Sequence, residues 1–219
     1  MVVASPSRAQ IVYCSWSDYK KEEWEAVRLT HPLSLLPDRK LGDLFDLEFR
    51  QVETEEPLLC DLEEMVRYKA FSAYQEARVP CIVEHAGLVL EGHEGKSYPG
   101  GLTQPMWDAL GAEAFLRSVR PLSTRAIARA VIGYCDGLTI KTFVGDCHGG
   151  LAEAQRGERT FYWDTVFCPD GGEGNTYSEM VGPDRSGLSN KMQLSQSIIA
   201  LKKFMEYRLN NEPALFPGL

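Results

Sequence analysis

Cys81-Ile-Val-Glu-His-Ala-Gly-Leu88 is the stretch whose reading decides the fold. Cys81 to Val83 is a short apolar run, read as a buried strand that stops at polar residues and a glycine. In an α/β sheet, strand ends of this kind face the ligand crevice. Working outward, Asp61 to Ala77 reads as the clearest helix. Asp61 is placed to cap it, with Glu64 three residues on, and Leu62, Met65, Val66, Ala70, Ala73, Tyr74 and Ala77 form one apolar stripe. Lys69 lies beside that stripe, so its ammonium is either aimed inward or snorkels along apolar surface to water.

Further toward the start, Ile11 to Cys14 reads as the first strand, Ser15 to Asp18 as a loop and Tyr19 to Leu29 as a helix. A loop entering a helix N-terminus is a ready anion site, because free N–H groups and the helix dipole both point at it. Leu44 to Val52 alternates with period two and reads as a strand with one wet face. After Leu88 to Leu90 comes the Gly-rich loop Gly92 to Gly101, then a helix from Pro105 to Val119. Arg125 to Cys135 and Leu138 to Cys147 read as a hairpin turning at Asp136-Gly137. Phe161 to Phe167 is strand-like. Ser189 is expected to cap a long helix carrying Leu194, Ile198, Leu201 and Met205. This divides the chain into a flexible segment over residues 1–10, one domain over 11–209 and an extended tail over 210–219.

The 219 residues suffice for a real core, with 44% hydrophobic and 25% charged residues. A formal net charge of −8 argues against a general nucleic-acid binder, so no nucleic-acid partner is expected. No apolar run reaches 18 residues, so no membrane span is expected, and Met1 to Gln10 lacks the apolar core of a signal peptide. The six cysteines are scattered with no CxxC pair, which reads as reduced thiols in a cytoplasmic protein.

Glu84-His85-Ala86-Gly87 resembles the Glu-Asp-Ser/Thr-Gly motif of the inosine triphosphate pyrophosphatase (ITPase) family, with His85 at the position of that family's catalytic Asp. Other motifs fall in the family's order. Ser15-Trp16-Ser17-Asp18-Tyr19-Lys20 is similar to its first loop, Thr-Gly-Asn-x-x-Lys. Glu56 precedes Leu62-Glu63-Glu64 and Lys69, and Tyr98-Pro99-Gly100 is similar to Phe-Pro-Gly. Phe161-Tyr162-Trp163-Asp164 is similar to Phe-Gly-Tyr/Trp-Asp, and Thr176-Tyr-Ser-Glu-Met180 to Thr-Phe-Ala-Glu-Met. Asp184-Arg185 and Ser189-Asn190-Lys191 stand where the family has Glu-Lys and Ser-His-Arg. The resemblance covers roughly Ile11 to Leu209. It implies an α/β fold, an elongated two-lobed mixed sheet flanked by helices with the ligand cleft between the lobes. It also implies a homodimer.

The roles implied for these residues make chemical sense. Ser15, Ser17, Lys20, Lys69 and Arg185 would meet the phosphates of a purine nucleoside triphosphate, (d)ITP or XTP. Glu56 would hold Mg²⁺, a hard ion that prefers carboxylate oxygen. Phe161 and Trp163 would stack the base, a contact worth about 1–3 kcal/mol. Asp164, Ser189, Asn190 and Lys191 complete the base end, although Lys191 lacks the bidentate fork of the family's Arg.

Four departures cluster in this site. His85 replaces a charged carboxylate, and loss of a catalytic acid–base group costs about 10²–10⁴ in rate. Ala86 lacks a hydroxyl, Trp16 replaces a glycine where backbone must approach the ligand, and Tyr162 replaces another glycine. His85 on its own is also readable as a replacement base. The four together predict a protein that binds a deaminated purine nucleotide with weak or no hydrolysis and signals to an effector protein, as in a stress or defence complex. The alternatives are an active nucleoside triphosphate pyrophosphohydrolase and a scaffold that binds no nucleotide. Pro213 to Pro217 is one place where a partner would dock; a disordered tail is the simpler reading.

Overall fold

The computed structural model describes residues 8–158, 161–213 and 215–216. The expected flexible N-terminal segment falls outside the described residues over 1–7, and Ala9 and Gln10 already belong to the first strand. The expected tail falls outside them at 214 and 217–219, and Asn210 is still helical.

In chain order the elements are β1 (Ala9–Cys14), α1 (Asp18–Val27), β2 (Pro32–Leu33), β3 (Leu36–Lys40), α2 (Leu41–Leu44), β4 (Phe45–Arg50), α3 (Leu62–Ala77) and β5 (Cys81–Leu90). Then come α4 (Thr103–Val119), β6 (Arg125–Cys135), β7 (Ile140–Leu151), β8 (Phe167–Pro169), α5 (Tyr177–Val181), α6 (Leu188–Leu194) and α7 (Gln196–Asn210). Six strands form one mixed sheet in the order β4-β1-β5-β6-β7-β8, while β2 and β3 pair separately. The first three neighbours run parallel and the rest antiparallel. The α/β, two-lobed mixed sheet flanked by helices is thus the observed architecture.

Three apolar clusters hold it. Tyr13, Trp24, Ile82, Ile132 and Phe204 pack α1 and α7 on one face of the first lobe. Val12, Leu62, Val66, Cys81 and Val83 pack α3 on the other. Leu88, Leu90, Trp107, Phe115, Trp163, Phe167 and Tyr177 form the core of the second lobe.

β5 passes through both lobes, and here the sequence reading needs correction. The strand does not stop at Val83. It pairs with β6 at every position from Cys81↔Cys135 to Leu90↔Ala126, and this ladder carries the polar residues through mid-strand. The Asp61 cap is present, its side chain accepting from the Glu63 and Glu64 N–H groups. The hairpin turn is wider than two residues. Asp136 Oδ1 accepts from the Leu138 and Thr139 N–H groups and holds the loop.

Two other elements differ from expectation. Tyr162–Thr165 is a 3₁₀ turn rather than a strand. Trp163 is buried in it by tertiary packing, which overrides its β preference. The expected long helix after Ser189 is broken at Ser195, whose extended backbone ends α6 and whose side chain caps α7 at Ser197 N. Ser189 is therefore not a cap; it lies inside α6, behind an N-cap at Gly187.

Gly87 shows why the quoted motif ends in glycine. A Cβ there would run into the Gly100 carbonyl, so its absence lets the loop before α4 close on β5.

Candidate functional site

β1 pairs with β5 only at Val12↔Cys81 and Tyr13↔Ile82. Past Ile82 that edge of β5 has no strand beside it among the described residues, only the isolated bridge Val89↔Pro99 further on. A cleft of about 510 Å³ opens there, lined by Ser15, Trp16, Ser17, Tyr19, Lys20, Glu56, Lys69, Glu84, His85, Gln104, Phe161 and Tyr162, among others. It is β1 that ends at the crevice, while β5 forms its floor.

Strand alternation sends Glu84 and His85 to opposite faces. Glu84 goes to the face of α1 and α7. Its Oε1 lies 2.5 Å from Lys20 Nζ and accepts from the Ser197 hydroxyl at 2.7 Å, while Oε2 accepts from the Tyr13 hydroxyl at 2.6 Å. Burial pushes the Glu84 carboxyl up, but the Lys20 charge and the three donors outweigh it and leave it below its ordinary value. Burial likewise opposes the Lys20 ammonium, yet Glu23 and Glu84 raise its pKa.

His85 goes to the α3 face. Its Nδ1 lies 3.3 Å from Glu56 Oε2, and Lys69 Nζ lies 2.6 Å from Glu56 Oε1. Lys69 also donates to the Glu84 carbonyl at 3.2 Å, so it points inward rather than snorkelling away. The hydrogen bond from His85, together with the Lys69 charge, holds the Glu56 carboxyl at a pKa of about 2 against the opposing effect of burial. His85 Nε2 is buried and without a partner among the described residues.

Beyond the cleft lies a second, much smaller cavity of about 10 Å³, lined by Tyr19, Glu23, Phe161, Asp164, Val181, Arg185, Leu188 and Lys191. Lys191 Nζ lies 2.6 Å from Asp164 Oδ2 and 3.7 Å from Glu23 Oε1. Burial pushes the Asp164 carboxyl up, opposed by Lys191. Asp164 Oδ1 and Arg185 Nε are both buried without a partner among the described residues.

Most of the residues expected at the site meet in these two spaces. Ser15, Ser17, Lys20, Lys69, Glu56, His85 and Phe161 line the cleft. Arg185 is displaced from it, pairing with Glu22 at 2.5 Å and lining the small cavity with Asp164 and Lys191. Trp163 faces neither space. It is 1% exposed and packs edge-on to Phe167 in the second core, while Phe161 lines both spaces. Ser189 and Asn190 line neither space, and Asn190 is exposed. Trp16 does not seal the cleft. It is 62% exposed, and its indole N–H donates to the Val52 carbonyl at the rim. The Tyr162 hydroxyl accepts from Gln104 Nε2.

The cations expected at the site are each paired with a carboxylate. Lys20 pairs with Glu84 and Glu23, Lys69 with Glu56, Lys191 with Asp164 and Arg185 with Glu22. A desolvated charge needs a counter-charge, and each of these has one. Glu84, Glu23 and Tyr19 were not singled out from the sequence as site residues. Glu84 stood in the quoted motif, and Tyr19 adjoins Lys20.

The geometry therefore defines an α/β protein with an elongated cleft between two lobes, lysines and hydroxyls at one end and aromatic and polar groups at the other. The chain is similar in fold to a HAM1 protein from Coxiella burnetii, with a TM-score of 0.68 at 19% identity over 93% of this chain and all of that one. It is also similar to the Ham1 protein of Staphylococcus aureus, with a TM-score of 0.62 over 91% of this chain and 99% of that one. A dITP/XTP pyrophosphatase of Methanopyrus kandleri is 33% identical over 171 residues, 76% of this chain and 86% of the relative. An inosine triphosphate pyrophosphatase of Trypanosoma cruzi is 33% identical over 64% of this chain and 69% of its own length. The Ham1 family model matches residues 11–207, and the chain belongs to the Ham1 family.

As placed, the described residues do not assemble a Mg²⁺ site, although an anion that takes over Lys69 would release Glu56. Both Glu56 oxygens are engaged by Lys69 and His85, and both Glu84 oxygens by Lys20, Ser197 and Tyr13. Among the described residues no group of three or more His, Cys, Asp or Glu is placed to hold a metal. Also among them, no helix is long and apolar enough to cross a membrane.

Proposed function

We propose that this chain binds a deaminated purine nucleoside triphosphate, (d)ITP or XTP, in the cleft and cleaves it weakly or not at all. The similar dITP/XTP and inosine triphosphate pyrophosphatases supply the substrate class. Triphosphate oxygens would exchange with the carboxylates on Lys20 and Lys69, beside the Ser15–Ser17 loop. No cap bond engages the Ser17 side chain at the start of α1, so the first-turn N–H groups favour an anion there. The base would lie toward Phe161, Asp164 and Lys191.

The observation that carries weak cleavage is the Lys69–Glu56–His85 chain. Glu56 faces an ammonium and an imidazole, so no second carboxylate stands with it to activate water. A ligand held uncleaved is suited to signalling, so the reading extends to a regulatory subunit, as a homodimer, reporting to an effector protein. Purification from the native host with no associated protein would remove that extension.

The second reading, an active pyrophosphohydrolase, draws on the same dyad. Donation from Nδ1 to Glu56 leaves Nε2 as an oriented acceptor, the arrangement of a general base. Calorimetry with dITP, XTP and ATP, followed by a pyrophosphate-release assay on dITP, separates the readings. Binding of dITP and XTP with turnover well below about 1 s⁻¹ supports the first; turnover at or above that establishes the second. No binding at all leaves a scaffold.

A further inference from the structure

The small cavity holds two unpaired buried groups of opposite sense, the Asp164 Oδ1 acceptor and the Arg185 Nε–H donor. A flat heterocycle with an N–H beside a carbonyl would satisfy both. The cavity is only about 10 Å³, room for at most one water, so no ring enters without a wall moving.

Its walls are not equally fixed. Asp164, Val181 and Lys191 are 1%, 2% and 5% exposed. Phe161 is braced by the Tyr162 and Trp163 rings at 5.1 and 6.2 Å. Tyr19 is half-buried and borders both the cleft and the cavity. Its ring is held by two contacts, the Arg185 guanidinium at 4.8 Å and the Phe161 edge at 5.7 Å. A planar base reaching Asp164 and Arg185 would need the space that the Tyr19 ring takes.

We infer that the Tyr19 ring stands in the place of the ligand's ring, and that binding requires its displacement from Arg185. This rests on the nucleotide reading above and adds a competitor built into α1. The Tyr19 ring and the base share one surface, so the observed affinity is reduced by the fraction of molecules in which Tyr19 is docked. A cation–π contact of this kind corresponds to a roughly 3- to 30-fold effect on affinity.

The test compares dITP and inorganic triphosphate, by calorimetry, on the wild type, Tyr19→Ala and Tyr19→Phe. Inorganic triphosphate has no ring and reports the phosphate end alone. The inference expects Tyr19→Ala to bind dITP about 3- to 30-fold more tightly, with inorganic triphosphate unchanged and Tyr19→Phe close to wild type because the ring is kept. Unchanged or weaker dITP binding by Tyr19→Ala overturns it, since Tyr19 is then a fixed wall or part of the stack. Binding of inorganic triphosphate without dITP in every variant also overturns it, while leaving the phosphate end intact. Failure of both probes in every variant overturns the nucleotide reading itself.

Discussion

His85 Nδ1 stands 3.3 Å from Glu56 Oε2, so an imidazole rather than a second carboxylate faces the Glu56 carboxylate on the α3 wall of the cleft. Replacing His85 with Asp would restore a negative charge there. Pyrophosphate release from dITP is expected to rise about 100-fold in His85→Asp, within the range a positioned acid–base group supplies. If the rate does not change, the missing carboxylate at position 85 is not what limits cleavage.

Glu84 fixes α1 and α7 to the sheet through Lys20, Ser197 and Tyr13. Glu84→Gln removes the charge that Lys20 was desolvated to meet. Breaking one partner of a buried pair costs about 3–5 kcal/mol. A urea melt is expected to show a lower midpoint with the slope unchanged; an unaltered midpoint would mean that water or Glu23 already compensates Lys20.

Gly87 is packed against the Gly100 carbonyl. Gly87→Ala must push the loop before α4 off β5, at a cost of about 1–3 kcal/mol for overpacking. Thermal unfolding should show the loss.

Acid should weaken the fold through the cleft. Glu56 has its pKa lowered to about 2 by the His85 hydrogen bond and Lys69, and Glu84 is lowered as well. A lowered carboxyl binds fewer protons folded than unfolded, so its contribution is complete above the ordinary carboxylate range and is lost as pH falls toward 2. Asp164, raised by burial, acts with the opposite sign, favouring the fold as pH falls into its range. The midpoint of thermal unfolding is expected to drop between about pH 4.5 and 2, and less steeply in Glu56→Gln. Parallel profiles for the two proteins would sink this assignment.

Much of this protein was legible in its residues. The apolar stripe and Asp61 cap gave α3, the period-two run gave β4, and Asp136-Gly137 marked the hairpin turn, because each signal is local. The motif order placed Lys20, Lys69, Glu56, His85 and Phe161 around one space. What local patterns misjudged was continuity: β5 runs through its polar residues, Phe161 to Phe167 turns instead of extending, and the last helix breaks at Ser195. For the first two a partner elsewhere in the chain, β6 or the second core, outweighed the local preference, while the break at Ser195 is a local cap on α7.

The sequence by itself determined the family, the element types and which side chains converge, since those follow from periodicity and ordered motifs. Only the tertiary structure decided what those side chains do at rest. Whether a lysine is free or bound to a glutamate, whether Trp163 stacks a ligand or fills a core, and whether Tyr19 leaves room for a base depend on distances between residues far apart in the chain. A buried charge takes whichever counter-charge the fold brings within reach, and no spacing along the chain states which that will be.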